Sequence, residues 1–239
     1  MPSDAANFSR KTSPVCVLGL DLAGSPKRPT GFCVLRGRRV TVGHLFDDGE
    51  IFATTESVAP QLIAIDAPLA LPTGRCCLTN TCACAGTTHF RVSDLELRRL
   101  GIRFFPITLG PMRQLTQRGM RLKEVLEARG MAVIETYPGA AQDIWGIPRQ
   151  RDVVGLRRGL GRFRLQGLGR SERSPHVLDA VTCALVAKLY LEGTVSSLGS
   201  PDEALMILPP LSASGMTLRG RQLHGDPTPF TTGNPNRPL

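Results

Sequence analysis

Three short apolar runs, each ending in a single acid, constrain this 239-residue chain more than any other feature. They are Val15-Cys16-Val17-Leu18-Gly19-Leu20-Asp21, Leu62-Ile63-Ala64-Ile65-Asp66 and Met131-Ala132-Val133-Ile134-Glu135. Runs of this length, uniformly apolar and stopped by Gly/Pro-containing turns, read as buried strands. Strands apolar on both faces belong inside a parallel or mixed sheet with helices on each side. Their carboxylates then gather along the C-terminal edge of the sheet, where open α/β sheets bind ligands.

Between the first two runs, Thr30–Leu35 and Arg39–Phe46 read as two more strands joined by a turn at Gly37-Arg38. Helices are expected over Asp47–Ala59, Ser93–Leu100, Leu115–Arg129 and Pro175–Glu192, the last opened by the good cap Ser174 and by Pro175. Tyr137-Pro138-Gly139 reads as a break, and Ala204–Leu208 as a candidate last strand. The expected fold is α/β: a mixed five-stranded sheet flanked by helices, with a Cys-containing insert at about 73–130 between the fourth and fifth strands. Residues 14–210 are expected to form this domain. The polar residues 1–13 are expected to be flexible, and the Gly/Pro/Thr/Ser/Asn-rich residues 211–239 disordered.

Charge points toward a polyanion. Lys+Arg 29 against Asp+Glu 20 gives +9, and only Lys11, Lys27, Lys123 and Lys188 are lysines. Guanidinium groups pair with phosphate oxygens and stack on bases, although a solvated basic surface explains the same balance. No apolar stretch reaches membrane-spanning length, since Val15–Leu22 contains Asp21 and Val181–Leu191 contains Lys188. The first 14 residues carry no apolar signal-peptide core, so a cytoplasmic protein with reduced thiols is expected and no membrane partner.

Asp21, Asp66 and Glu135, brought to one edge, repel one another and lose hydration. A fourth acid, Asp179, follows His176 by three residues, so the two share a helix face. Divalent cations relieve such crowding: Mg²⁺ takes oxygen ligands and works between carboxylates and phosphate. The bland alternative is that each strand-end acid caps its own turn, most simply Asp66 before Ala67-Pro68.

Four blocks carry a resemblance: Gly19-Leu20-Asp21-Leu22-Ala23-Gly24-Ser25, Ile65-Asp66-Ala67-Pro68-Leu69, Ile134-Glu135-Thr136-Tyr137-Pro138-Gly139 and His176-Val177-Leu178-Asp179-Ala180. In this order they resemble the signature blocks of the DUF429 family, a domain of unknown function described as predicted nucleases of RNase H-like fold. The likeness spans about Val15 to Pro209. His176-x-x-Asp179-Ala180 is also similar to the last catalytic block of Holliday-junction resolvases. The resemblance implies a metal-dependent nuclease that cleaves phosphodiester bonds in nucleic acid by a two-metal mechanism. Asp21, Asp66, Glu135 and Asp179 would hold Mg²⁺ or Mn²⁺, with His176 beside them. Lys27 and Arg28, after the first acid, would contact phosphate, and the eight arginines of Arg149–Arg173 would form a basic arm over the site. Two readings stay open beside this one. The same fold could act on a nucleotide or small molecule, or the chain could be a non-catalytic binding module for nucleic acid or protein.

Four cysteines crowd into Cys76, Cys77, Cys82 and Cys84, with His89 five residues on. Thiolates and imidazole at this density can hold a structural Zn²⁺. Adjacent residues rarely turn both side chains to one ion, so the expected set is Cys76 or Cys77 with Cys82, Cys84 and His89. An iron–sulfur cluster, a disulfide or plain reduced thiols remain as alternatives. Cys16, Cys33 and Cys183 lie in apolar runs and read as core.

Overall fold

A computed structural model describes residues 14–86 and 88–211. The expected flexible residues 1–13 and the expected disordered tail beyond Leu211 lie outside the described residues. Among the described residues seven strands form one sheet: β1 (Cys16–Asp21), β2 (Thr30–Arg36), β3 (Arg39–Leu45), β4 (Leu62–Asp66), β5 (Val133–Thr136), β6 (Ser196–Leu198) and β7 (Met206–Leu208). Their order is β3-β2-β1-β4-β5-β7-β6. The first three strands form an antiparallel meander, β1, β4, β5 and β7 run parallel, and β6 pairs antiparallel with β7. The expected α/β class and the insert between β4 and β5 are present. Among the described residues the strand count is seven, not five: β7 falls on the candidate last strand Ala204–Leu208, and β6, unread in the sequence, pairs with it at the far edge. Strands this short carry almost no periodicity to read.

Among the described residues six α-helices surround the sheet: α1 (Asp48–Val58), α2 (Val92–Arg99), α3 (Gly110–Ala128), α4 (Pro138–Trp145), α5 (Val153–Leu160) and α6 (Pro175–Leu191). Two of them correct the sequence reading. The expected break at Tyr137-Pro138-Gly139 instead starts α4, with Pro138 in its first turn and Gly146 closing it in the left-handed region at φ 66°. The expected basic arm is also folded: α5 buries Leu156 and Leu160 in the main core, and Arg157 ties back to the Leu168 and Gly169 carbonyls.

Alternation along the strands creates two cores. Val17, Ala64 and Ile134 pack with α6, whereas Leu18, Leu20, Ile63, Ile65 and Val133 pack with Ile51 of α1 and Leu122 and Leu126 of α3. Helix α6 is buried from Val177 through Ala187 and lies tight against β1 and β2. That approach needs glycine. A Cβ on Gly19 would stand 2.2 Å from the Ala180 carbonyl oxygen, and one on Gly31 would stand 2.1 Å from that of His176. The small residues therefore fix how closely the N-terminal end of α6 approaches the strand-end acids. None of the described helices is long and apolar enough to cross a membrane.

Candidate functional site

The parallel register pairs Asp21 directly with Asp66, so both carboxylates leave the sheet on the α6 side. Helix α6 adds two groups from above. His176 Nδ1 lies 2.7 Å from Asp21 Oδ2, and Asp179, 6% exposed, accepts a 2.6 Å hydrogen bond from the Gln142 amide on α4. Gln142 also reaches the Thr182 hydroxyl at 3.2 Å, which fixes its orientation. Four elements, β1, β4, α4 and α6, thus build one acidic corner.

The charges there are strained. Burial, then the charges of Asp21, Asp179 and Glu135, push the Asp66 carboxyl well above the usual carboxylate range. Burial and the Asp21 charge push Asp179 up to about 7, against opposing pulls from Gln142, His176 and Arg149. The hydrogen bond to Asp21 raises the His176 pKa despite the ring's partial burial. Among the described residues no Lys or Arg pairs with Asp21, Asp66 or Asp179.

Glu135 is placed differently. Its strand neighbour across the pairing is Ile65, and Thr136 is the residue level with Asp66. Glu135 therefore leaves the opposite face. There it receives Arg91 Nη1 and Nη2, each at 2.7 Å, and the Leu69 backbone N–H at 2.7 Å. Arg91 and Glu135 are 1% and 2% exposed, and Arg91 also holds Asp94 at 3.2 Å. This two-pronged ion pair ties the insert to β5. Neither Arg91 nor Gln142 stands out in the sequence: Arg91 is one arginine among many, and Gln142 lies on a helix whose opening Pro-Gly reads as a break.

Lys27 and Arg28 are exposed on the loop after β1, and Arg28 is near enough to His176 to oppose its protonation. That loop is held from below by Arg118, which donates to the Ala23 carbonyl at 2.6 Å and to Asp48 at 2.8 Å. Arg149 does not swing free: it pairs with Asp143 and donates to the Tyr137 hydroxyl at 3.0 Å. Beside Asp66 a cavity of about 210 Å³ is lined by Arg91, Phe104, Phe105, Tyr137 and Met206.

In the insert, the Sγ atoms of Cys76, Cys77, Cys82 and Cys84 all lie within 4.8 Å of one another. Both adjacent cysteines join the group, contrary to the expectation that only one would. His89 does not; its Nδ1 faces the Thr108 hydroxyl at 3.2 Å. Among the described residues these thiols are the one set of three or more such donors gathered that tightly.

The profile of a family described as "Protein of unknown function (DUF429)" matches residues 19–204. Among solved structures, Thermus thermophilus RuvC in complex with a Holliday junction substrate is similar at 12% identity, with a TM-score of 0.43. That match covers 80% of this chain and 99% of RuvC. No curated protein matches.

Proposed function

The chain belongs to the DUF429 family, and we propose that it is a divalent-metal-dependent nuclease of RNase H-like fold that hydrolyses phosphodiester bonds in nucleic acid. The observation that carries this reading is an acidic corner in which, among the described residues, no Lys or Arg forms an ion pair with the acids. Asp21, Asp66 and Asp179 crowd together with no Lys or Arg partner, while Glu135 one register away has its own buried arginine. Acids of the same sheet edge are thus treated in two ways, and the set that has only His176 and Gln142 beside it suits cations from outside the chain.

The donor set is hard oxygen, which fits Mg²⁺ or Mn²⁺, and Asp21, Asp66 and Asp179 would hold the ions. Such ions supply charge neutralisation and Lewis acidity at a phosphodiester. Glu135, a ligand by the family resemblance, acts here through Arg91 by anchoring the end of β5. Gln142 holds one Asp179 oxygen in place. His176, oriented through Nδ1 by Asp21, offers its other ring nitrogen for proton exchange with the leaving oxygen. Lys27 and Arg28 at the rim position phosphate.

Net charge favours a polymer over a small molecule: the chain carries +9, most of it as guanidinium, which suits a polyanion. The test is cleavage of labelled DNA and RNA oligonucleotides and branched junctions with Mn²⁺. Activity is expected to vanish with chelator and to fall about 100-fold or more in Asp21→Asn. Cleavage indifferent to both, or none on any substrate, speaks against the reading.

A further inference from the structure

The thiol cluster lies outside the acidic corner, and its geometry does not depend on the nuclease reading. Cys76 Sγ is 3.4 Å from Cys82 Sγ and 3.5 Å from Cys84 Sγ, and Cys77 Sγ is 3.8 Å from Cys84 Sγ. A tetrahedron of thiolates at a Zn–S distance of about 2.3 Å has edges of about 3.8 Å. Bonded sulfurs would instead stand about 2.05 Å apart. We propose that Cys76, Cys77, Cys82 and Cys84 form a four-thiolate site for one structural Zn²⁺, without His89.

The surrounding chain is built to present these thiols. Arg75, 7% exposed, donates to the carbonyls of Cys77 at 3.1 Å, Ala85 at 3.1 Å and Thr88 at 3.0 Å. One side chain thereby fixes both the first cysteine pair and the far end of the loop. Leu78, 2% exposed, anchors the loop between the two cysteine pairs. The Glu203 carboxylate closes the neck, accepting from Thr73 N–H at 2.7 Å and Val92 N–H at 2.6 Å. Four thiolates around one Zn²⁺ leave a net charge of about −2, so nearby cations matter. Arg121 and Lys123 of α3 line the same cleft as Cys76 and Cys77, together with Glu124 and Glu127, so the cleft itself is close to charge-balanced. Among the described residues of 73–91 the regular structure is one short turn, Ala83–Gly86, and a metal staple supplies what a small core cannot.

The site selects zinc by chemistry. An all-sulfur tetrahedral set suits Zn²⁺ or iron over Mg²⁺, Ca²⁺ or Mn²⁺. Sulfurs this close to a common centre suit a single ion better than a multi-iron cluster. The function assigned to it is mechanical: it clamps the loop between β4, which carries Asp66, and α2, whose preceding residue Arg91 holds Glu135.

The test uses the full chain, purified under reductant from zinc-supplemented medium, with metal measured by mass spectrometry. The expected result is about one zinc per chain, falling at least tenfold in Cys82→Ser/Cys84→Ser, with protease cleavage within 73–91 accelerated at least tenfold. Should the double variant fail to fold, Co²⁺ exchanged into the wild-type chain decides the matter: tetrahedral thiolate bands in its absorption spectrum support the site. Less than a tenth of an equivalent of zinc in the wild type, stoichiometric iron, a disulfide among the four cysteines, or zinc retained undiminished by the double variant would each overturn the proposal.

Discussion

The acidic corner and the thiol loop gather their donors over very different distances along the chain. His176 and Asp21 meet across 155 residues, whereas Cys76 and Cys84 are eight apart. The acids converge only after β1, β4, α4 and α6 have packed, and Gly19 and Gly31 set how closely α6 comes down. The thiols need only one loop, fixed by Arg75 and Glu203. A site of the first kind inherits the stability of the whole fold. A site of the second kind can be lost or repaired by itself. The donors differ as well: the carboxylates of the corner carry unresolved repulsion, whereas the four thiols are soft sulfur donors set on a single loop.

Breaking the buried ion pair beneath the sheet edge should separate the two most strongly. Arg91→Met leaves Glu135 and Asp94 without their cation and should cost about 3–5 kcal/mol in chemical denaturation. A loss below about 1 kcal/mol would mean that Arg91 does not neutralise Glu135. The acidic corner should next reveal itself by pH. In chelator-containing buffer, Asp179 and Asp66 are easier to protonate folded than unfolded. Their contribution to stability is complete below the ordinary carboxylate pKa of about 3.9 and disappears as pH rises through the folded values. For Asp179 that loss ends around pH 7. His176, with its raised pKa, acts in the same sense above about pH 6.5. Denaturation at stepped pH should show a decline on the order of 2–4 kcal/mol, smaller in Asp179→Asn and reduced by millimolar Mg²⁺. A flat profile would remove the claim of charge strain.

Gly19→Ala drives a methyl into the backbone of α6 and should cost about 1–3 kcal/mol, weakening the acidic corner while zinc content stays constant. Equal stability of the variant would show that α6 is not seated by the glycine. The smallest effect has the opposite sign. Asp66→Asn relieves repulsion in the metal-free chain and should stabilise it by about 1 kcal/mol while abolishing divalent-cation binding at the corner. Destabilisation beyond that amount would show that the carboxylate serves the fold instead.

Much of this organisation was legible in the residues. Asp21 and Asp66 end apolar runs of the same phase, and the sheet brings them level. His176 and Asp179 follow a strong helix start at Ser174-Pro175, which the Ser174 hydroxyl caps. Glu135 carries the same local signature as the two aspartates yet turns to the other face. A run of apolar residues does not encode which residue of one strand stands opposite which residue of the next, and a shift of one exchanges the faces. Nothing local distinguishes Glu135 from Thr136 as the residue level with Asp66. At Tyr137-Pro138-Gly139 the ambiguity is chemical, because proline both stops strands and opens helices. The adjacent cysteines misled for a different reason. In irregular backbone, held here by Arg75, neighbouring side chains need not diverge as they do in a strand.

Anomalous diffraction from crystals soaked in Mn²⁺, with data collected on either side of the manganese edge, addresses the acidic corner without relying on any assay of activity. The expected result is a manganese peak bounded by the carboxylates of Asp21, Asp66 and Asp179, absent from Asp66→Asn crystals. A map with no peak there at millimolar Mn²⁺, or with those carboxylates turned away to separate partners, would contradict the proposal that this corner of the sheet captures divalent cations.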